Sequence, residues 1–148
     1  RKTRKAICLN NLGNLYHAQG LSELADRYYR EALAVSESAS GPEAALTGTI
    51  LGNWAWLAHE RGLVDEAKFR YQRALVIQQQ TLGRDHPMVA MIFERYAGLL
   101  HGLGQSVEAN LFAARAAAIR GQQIHSSRSP AQSQQSRSNQ DPQKGGRR

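Results

Sequence analysis

The chain has 148 residues, 41% of them hydrophobic, a single cysteine and a formal net charge of +7. This length suits one domain; the lone Cys8 excludes a disulfide framework or a cysteine zinc site, and no run approaches the ~20 apolar residues of a membrane helix. The excess charge sits in Arg1, Lys2, Arg4 and Lys5 and in the residues from Gly121 onward, leaving the body between them at −1, which excludes the basic stripe of a nucleic-acid-binding face.

From Arg4 to Ala18, Ile7, Leu9, Leu12, Leu15 and Tyr16 recur at three- and four-residue steps, the spacing of one face of an amphipathic helix. Gly20 is placed to end it, because glycine accepts the left-handed conformation that follows a helix. A second helix is expected from Ser22 to Ser38, carrying Leu24, Ala25, Tyr28, Tyr29, Ala32, Leu33 and Val35, with Ser22 as its N-cap. So short a connection makes the two helices antiparallel. Gly41 and Pro42 interrupt the pattern. A second hairpin follows from Glu43, with Leu51, Trp54 and Leu57 before Gly62 and Ala67, Tyr71, Ala74, Leu75 and Ile77 after it. The third begins past Gly83-Arg84-Asp85-His86-Pro87, with Phe93, Tyr96, Leu99 and Leu100 before Gly104 and Ala109, Leu111, Phe112, Ala113, Ala116 and Ile119 beyond. Pro87 suits a first helical position, where its missing amide hydrogen costs nothing, and His86 suits the cap before it.

A shift of 42 residues superimposes the three hairpins: Gly20 on Gly62 and Gly104, Ala25 on Ala67 and Ala109, Ala32 on Ala74 and Ala116, and Gly13 on Ala55 and Ala97. Small residues recurring at fixed positions mark where helix axes approach to about 8–10 Å. The expectation is an all-α stack of hairpins over residues 1–120, with repeats at about 4–41, 42–83 and 84–120. After Gly121 the residues are dominated by Ser, Gln, Arg and Gly, with no Phe, Trp or Tyr, so 121–148 is expected to be a disordered basic tail. The start at Arg1 without a Met points to a piece of a longer protein, and the single thiol with no signal-peptide core to a reducing, cytoplasmic setting.

The sequence Leu9, Leu12-Gly13, Tyr16, Gly20, Ala25, Tyr29, Ala32 resembles the tetratricopeptide repeat (TPR). The 42-residue period, the opening Leu9-Asn10-Asn11-Leu12-Gly13 and the linker Leu82-Gly83-Arg84-Asp85-His86-Pro87 resemble its kinesin-light-chain type. The first linker departs from this type, with Ser40-Gly41-Pro42-Glu43-Ala44-Ala45 in place of the Asp-His-Pro set, and Ala113 stands where the earlier repeats have Tyr29 and Tyr71. The resemblance implies a right-handed superhelical stack, a TPR α-solenoid, that binds a peptide or helix of a protein partner in its concave groove. It also implies the groove residues: Asn10, Asn11 and Asn14 in the first repeat, Asn53, Trp56, His59 and Glu60 in the second, and Glu94, Arg95 and Gly98 in the third.

Trp54, on the packed side, is expected in the core, and Trp56 is the better anchor for a ligand. His17, His59 and His101 also fall in register. Neighbouring helices are too far apart for the three to share one ion, so a solvent-facing row is expected, charged below about pH 6.5, with no metal and no cofactor. No phosphate-binding glycine loop, Gly-x-Ser-x-Gly elbow or His-Glu-x-x-His is present, and the chain is not expected to be an enzyme. Two further functions stay open: attachment to nucleic acid or an anionic surface through the basic termini, and self-association, as a homo-oligomer, through the face of a terminal helix.

Overall fold

The computed structural model describes residues 1–127, which form six α-helices: α1 Lys2–Ala18, α2 Ser22–Ser40, α3 Ala45–Glu60, α4 Val64–Leu82, α5 Pro87–Gly102 and α6 Ser106–Ser126. Consecutive helices pair into three antiparallel hairpins, and each hairpin stacks on the next through α2 against α3 and α4 against α5. The backbones of α1 and α3, and of α3 and α5, also approach one another, whereas no two even-numbered helices do. The odd helices therefore lie closer together and line the inner side of a curve.

The three hairpin turns close in the same way. Gly20, Gly62 and Gly104 take φ of +76°, +73° and +76°. The amides of Leu21, Leu63 and Gln105 each reach back five residues, to the carbonyls of Tyr16, Ala58 and Leu100 at 2.9 Å. This is the Schellman closure, which satisfies carbonyls left open at a helix end. It also corrects the expected cap of α2. The turn is so tight that Leu21 already occupies the N-cap, its carbonyl accepting from the Ala25 amide at 2.9 Å, and Ser22 lies one residue too late to cap anything.

The two linkers between hairpins turn alike at Gly41 (φ +97°) and Gly83 (φ +96°) but start the next helix by different means. His86, extended at φ −74° and ψ 143°, accepts the Met88 amide on Nδ1 at 3.1 Å, and Pro87 follows at the first helical position. In the first linker Ala44 offers no capping side chain. There the buried Thr47 hydroxyl donates to the Gly41 carbonyl at 2.8 Å and meets Ser36 Oγ at 2.9 Å, tying the turn to α2 instead. His86→Ala is expected to cost about 0.5–2 kcal/mol, read as a lower urea midpoint, because it removes the only side-chain cap among the described helices.

The core is continuous across repeats. Leu51, Tyr71, Tyr96, Leu99 and Leu100 surround Ala55, Ala58, Ala67 and Ala109, all buried. The small residue at the Gly13, Ala55 and Ala97 position is required by close approach: a Cβ on Gly13 would lie 2.6 Å from the Tyr29 ring. Ala67 is fully buried at the centre of the stack. Ala67→Leu is therefore expected to overpack it by about 1–3 kcal/mol, seen as a fall in melting temperature.

The last helix runs through Ser126, so the expected end of order at Gly121 is corrected by about one and a half turns. Residues 121–126 extend α6 because Gln122, Gln123 and Ile124 are tolerant of helix and the preceding run is rich in Ala. The rest of the expected tail, 128–148, lies outside the described residues.

Candidate functional site

On the inner side a cleft of about 450 Å³ draws on all three hairpins, lined by Asn14, His17 and Ala18 from α1, Tyr29 from α2, Asn53, Trp56 and Glu60 from α3, and Arg95 from α5. Asn53 and Arg95 are one repeat apart, so the stacking itself sets them side by side. The Arg95 guanidinium carbon stands 4.8 Å from the centre of the Trp56 ring, and that ring meets the edge of His59 at a centroid distance of 5.4 Å. A guanidinium over an indole face is held by the ring quadrupole while its N–H edge stays free to donate. No carboxylate pairs with Arg95 among the described residues.

Glu60, the acid of the cleft, is bonded to His17 Nε2, an ion pair whenever the imidazole is protonated. Tyr29, fully buried, donates its hydroxyl to Asn14 Oδ1 at 2.7 Å. Burial pushes that phenol up to about 12, against the pull of nearby Arg95. Tyr71 is displaced upward for the same reason, so both hydroxyls remain donors at neutral pH. Beside the cleft, Asn53 Nδ2 donates to Asn10 Oδ1 at 3.2 Å. This orients the Asn53 amide and consumes the Asn10 side chain.

Of the groove residues implied by the sequence, Asn14, Asn53, Trp56, Glu60 and Arg95 converge on the cleft. Others sit elsewhere. Asn10 is 6% exposed, so it supports Asn53 rather than facing a ligand. Asn11 is exposed but does not line the cleft. The Glu94 carboxylate is turned to Arg120 of α6, at 3.0 and 3.3 Å. Gly98 lies near His59, with space for a Cβ 3.7 Å from the ring. Trp54 is core, as expected: 7% exposed, donating to Asp26 Oδ1 at 2.8 Å and covered by Arg70 at 3.6 Å.

The three histidines do not form a solvent-facing row. His17 is engaged with Glu60 and partly buried, His59 lies behind Trp56, and only His101 is exposed. His59 Nδ1 sits 3.2 Å from the Tyr71 hydroxyl, whose proton it accepts in the neutral tautomer that carries its hydrogen on Nε2. Desolvation lowers its pKa below the ordinary 6.5, with Glu60 opposing. The unfolded chain therefore binds a proton at His59 before the folded one does, so its effect on stability is absent above about pH 6.5 and unfavourable as pH falls below it. His59→Gln is expected to flatten the decline in urea midpoint between pH 7 and pH 5, measured against the parent protein.

His17 and Tyr29 entered the site without being read from sequence as ligand-facing. One signal was available: both contacts that cross between α1 and α3, His17 to Glu60 and Asn10 to Asn53, join residues 43 apart, one repeat plus one. Complementary polar pairs at that offset mark where adjacent inner helices touch. Tyr29 has no such signal, since a phenol that packs and one that reaches through to a cleft look alike in sequence.

A curved stack of helical hairpins with a polar, aromatic-walled inner cleft defines an α-helical repeat scaffold. The chain belongs to the tetratricopeptide repeat family, whose model matches residues 5–80, and such repeats serve as protein–protein interaction scaffolds. The fold is similar to that of BtubC (BKLC) from P. vanneervenii, with a TM-score of 0.73 and 24% identity over 96% of this chain and 52% of that one. It is also similar to a Podospora anserina protein described as a kinesin light chain with nearly identical TPR-like repeats, with a TM-score of 0.74 and 21% identity over 88% of this chain and 61% of that one. The chain thus spans between about half and three fifths of those two proteins, and at these identities the likeness is one of fold. Among curated proteins, none matches the chain. No described helix is long and apolar enough to cross a membrane.

Proposed function

We propose that the chain is a protein-interaction module that holds an extended peptide or a helix of a partner in its inner groove, through Arg95, Trp56, Asn53 and Asn14. The observation that carries this reading is the Arg95–Trp56 pair at 4.8 Å, with Arg95 unpaired by any described carboxylate while the acid of the cleft is engaged by His17. A cationic group fixed on an aromatic face, with its donors turned toward open space, suits a carboxylate on the ligand, and flanking amides can both donate to and accept from a peptide backbone.

The test is selection of a displayed random-peptide library on the full chain, followed by titration of enriched peptides against the parent protein and against Arg95→Glu. Enriched peptides with acidic residues, and binding lost in Arg95→Glu at unchanged helicity, support the groove. Peptides that bind the variant equally well sink it. Attachment through the basic termini predicts the opposite pattern: binding of polyanions that falls steeply with salt and is indifferent to Arg95.

A further inference from the structure

The outer side of α6 carries Val107, Leu111, Ala114 and Ala118 in steps of four, three and four, all exposed, with Val107 80% and Leu111 65% accessible. The repeats provide their own control. One period earlier the same positions of α4 are Asp65, Phe69, Gln72 and Val76, and two periods earlier those of α2 are Glu23, Arg27, Arg30 and Ala34. All eight are exposed although a further hairpin is stacked on each of those repeats. A hairpin following α6 would therefore leave the four α6 positions open as well. Such a hairpin would cover Ala113 and Ala117, which stand where Tyr29 and Leu33, or Tyr71 and Leu75, pack against the next repeat. Three of the four positions are charged in α2, one in α4 and none in α6.

We propose that this outer face of α6 is a self-association surface, on which two copies of the chain pair their α6 helices antiparallel about a two-fold axis between Leu111 and Ala114. The four-three-four spacing is the seam of a two-helix pair. Its order, two branched residues followed by two alanines, selects the antiparallel arrangement. The two-fold sets Leu111 against Ala114 and Val107 against Ala118 of the other copy, so each large side chain meets a methyl and the helices approach evenly. A parallel pair would crowd the leucines at one level and leave a gap at the alanines. The flanking charges complement each other in the same register. Glu108 and Arg115, seven residues apart, lie on one side of the seam and cannot meet within a helix, yet the two-fold brings Glu108 of each copy opposite the partner's Arg115. Arg115 touches Asp85 at 3.2 Å but is 41% exposed, so it remains available. The surface lies on the outer side, leaving the inner groove open in both copies, and a dimer would present two grooves at once.

Sedimentation equilibrium of the full chain tests this. A monomer–dimer equilibrium is expected, with Leu111→Glu raising the dimer Kd at least about tenfold because the change acts twice per dimer. Its circular dichroism should not change, since the side chain is exposed. At low salt Glu108→Arg should weaken the dimer, and adding Arg115→Glu to it should restore association. A chain that stays monomeric up to about 100 μM, above the range of weak specific interfaces, overturns the proposal. So does a dimer indifferent to Leu111→Glu, or one that the double charge exchange fails to restore.

Discussion

Tyr71→Ala should lower the unfolding free energy by about 3–5 kcal/mol, the range for losing a large aromatic from a packed core. Tyr71 is completely buried, its ring stacks on Tyr96 of the next hairpin at 5.5 Å between centroids, and its hydroxyl is bonded to His59. The truncation leaves a cavity where the second and third hairpins join and strips His59 of its donor. In a protein stabilised by about 5–15 kcal/mol this is a large fraction, and the stack is expected to lose cooperativity at that joint. Phe69→Ala, two residues away on the same helix, is expected to cost less than about 1 kcal/mol, because Phe69 is 65% exposed on the outer side. Urea denaturation of the two variants decides the matter. Similar losses would mean that α4 is rotated from its described orientation.

Arg95→Ala and Trp56→Ala should each weaken binding of a groove-selected peptide by about 2–4 kcal/mol, roughly thirty- to a thousandfold, as expected of central anchors. The two are not independent. Arg95 is positioned by the Trp56 face, so the double variant should lose less than the sum of the single losses, and a double-mutant cycle measures that coupling directly. Asn11→Ala provides the contrast. Asn11 is equivalent to Asn53 and Arg95 by sequence period, yet it lies outside the cleft, so a change below about threefold is expected. Isothermal titration with one enriched peptide is sufficient. Equal losses at Asn11 and Arg95 would place the ligand along the whole inner surface rather than at the cleft.

The repeat architecture was legible because it rests on local rules. The helical spacing of apolar residues, the glycine after every first helix and the alanines at 25, 67 and 109 each act within a turn or a single helix pair, and repetition at a fixed shift made the signal threefold. The site was legible only at the level of the inner helix face. Asn53, Trp56 and Arg95 could be placed on that face by period, but the pairing of His17 with Glu60 and the burial of Asn10 depend on the offset between adjacent inner helices. Gly48 is similar. Its neighbours in sequence give no reason for a glycine, and only the stack shows that a Cβ there would lie 2.8 Å from Ile77 Cγ2 and 2.9 Å from Gln78 Cδ.

By itself the sequence determined the helices of the three hairpins and their antiparallel pairing, because periodicity and turn chemistry are properties of consecutive residues, but not all of what they bury: Ile7, Leu15 and Leu111, read with the apolar faces, are 43%, 51% and 65% exposed. It could not rank Tyr71 above Phe69, both aromatic and two positions apart, nor choose among three histidines in register. The tertiary structure decided these, since whether a side chain is packed, paired or open depends on what the neighbouring hairpin places against it. The same physical reason separates the equivalent Asn11, Asn53 and Arg95: identical positions in the repeat become different sites once one lies outside the cleft, another touches Asn10, and the last rests on an indole.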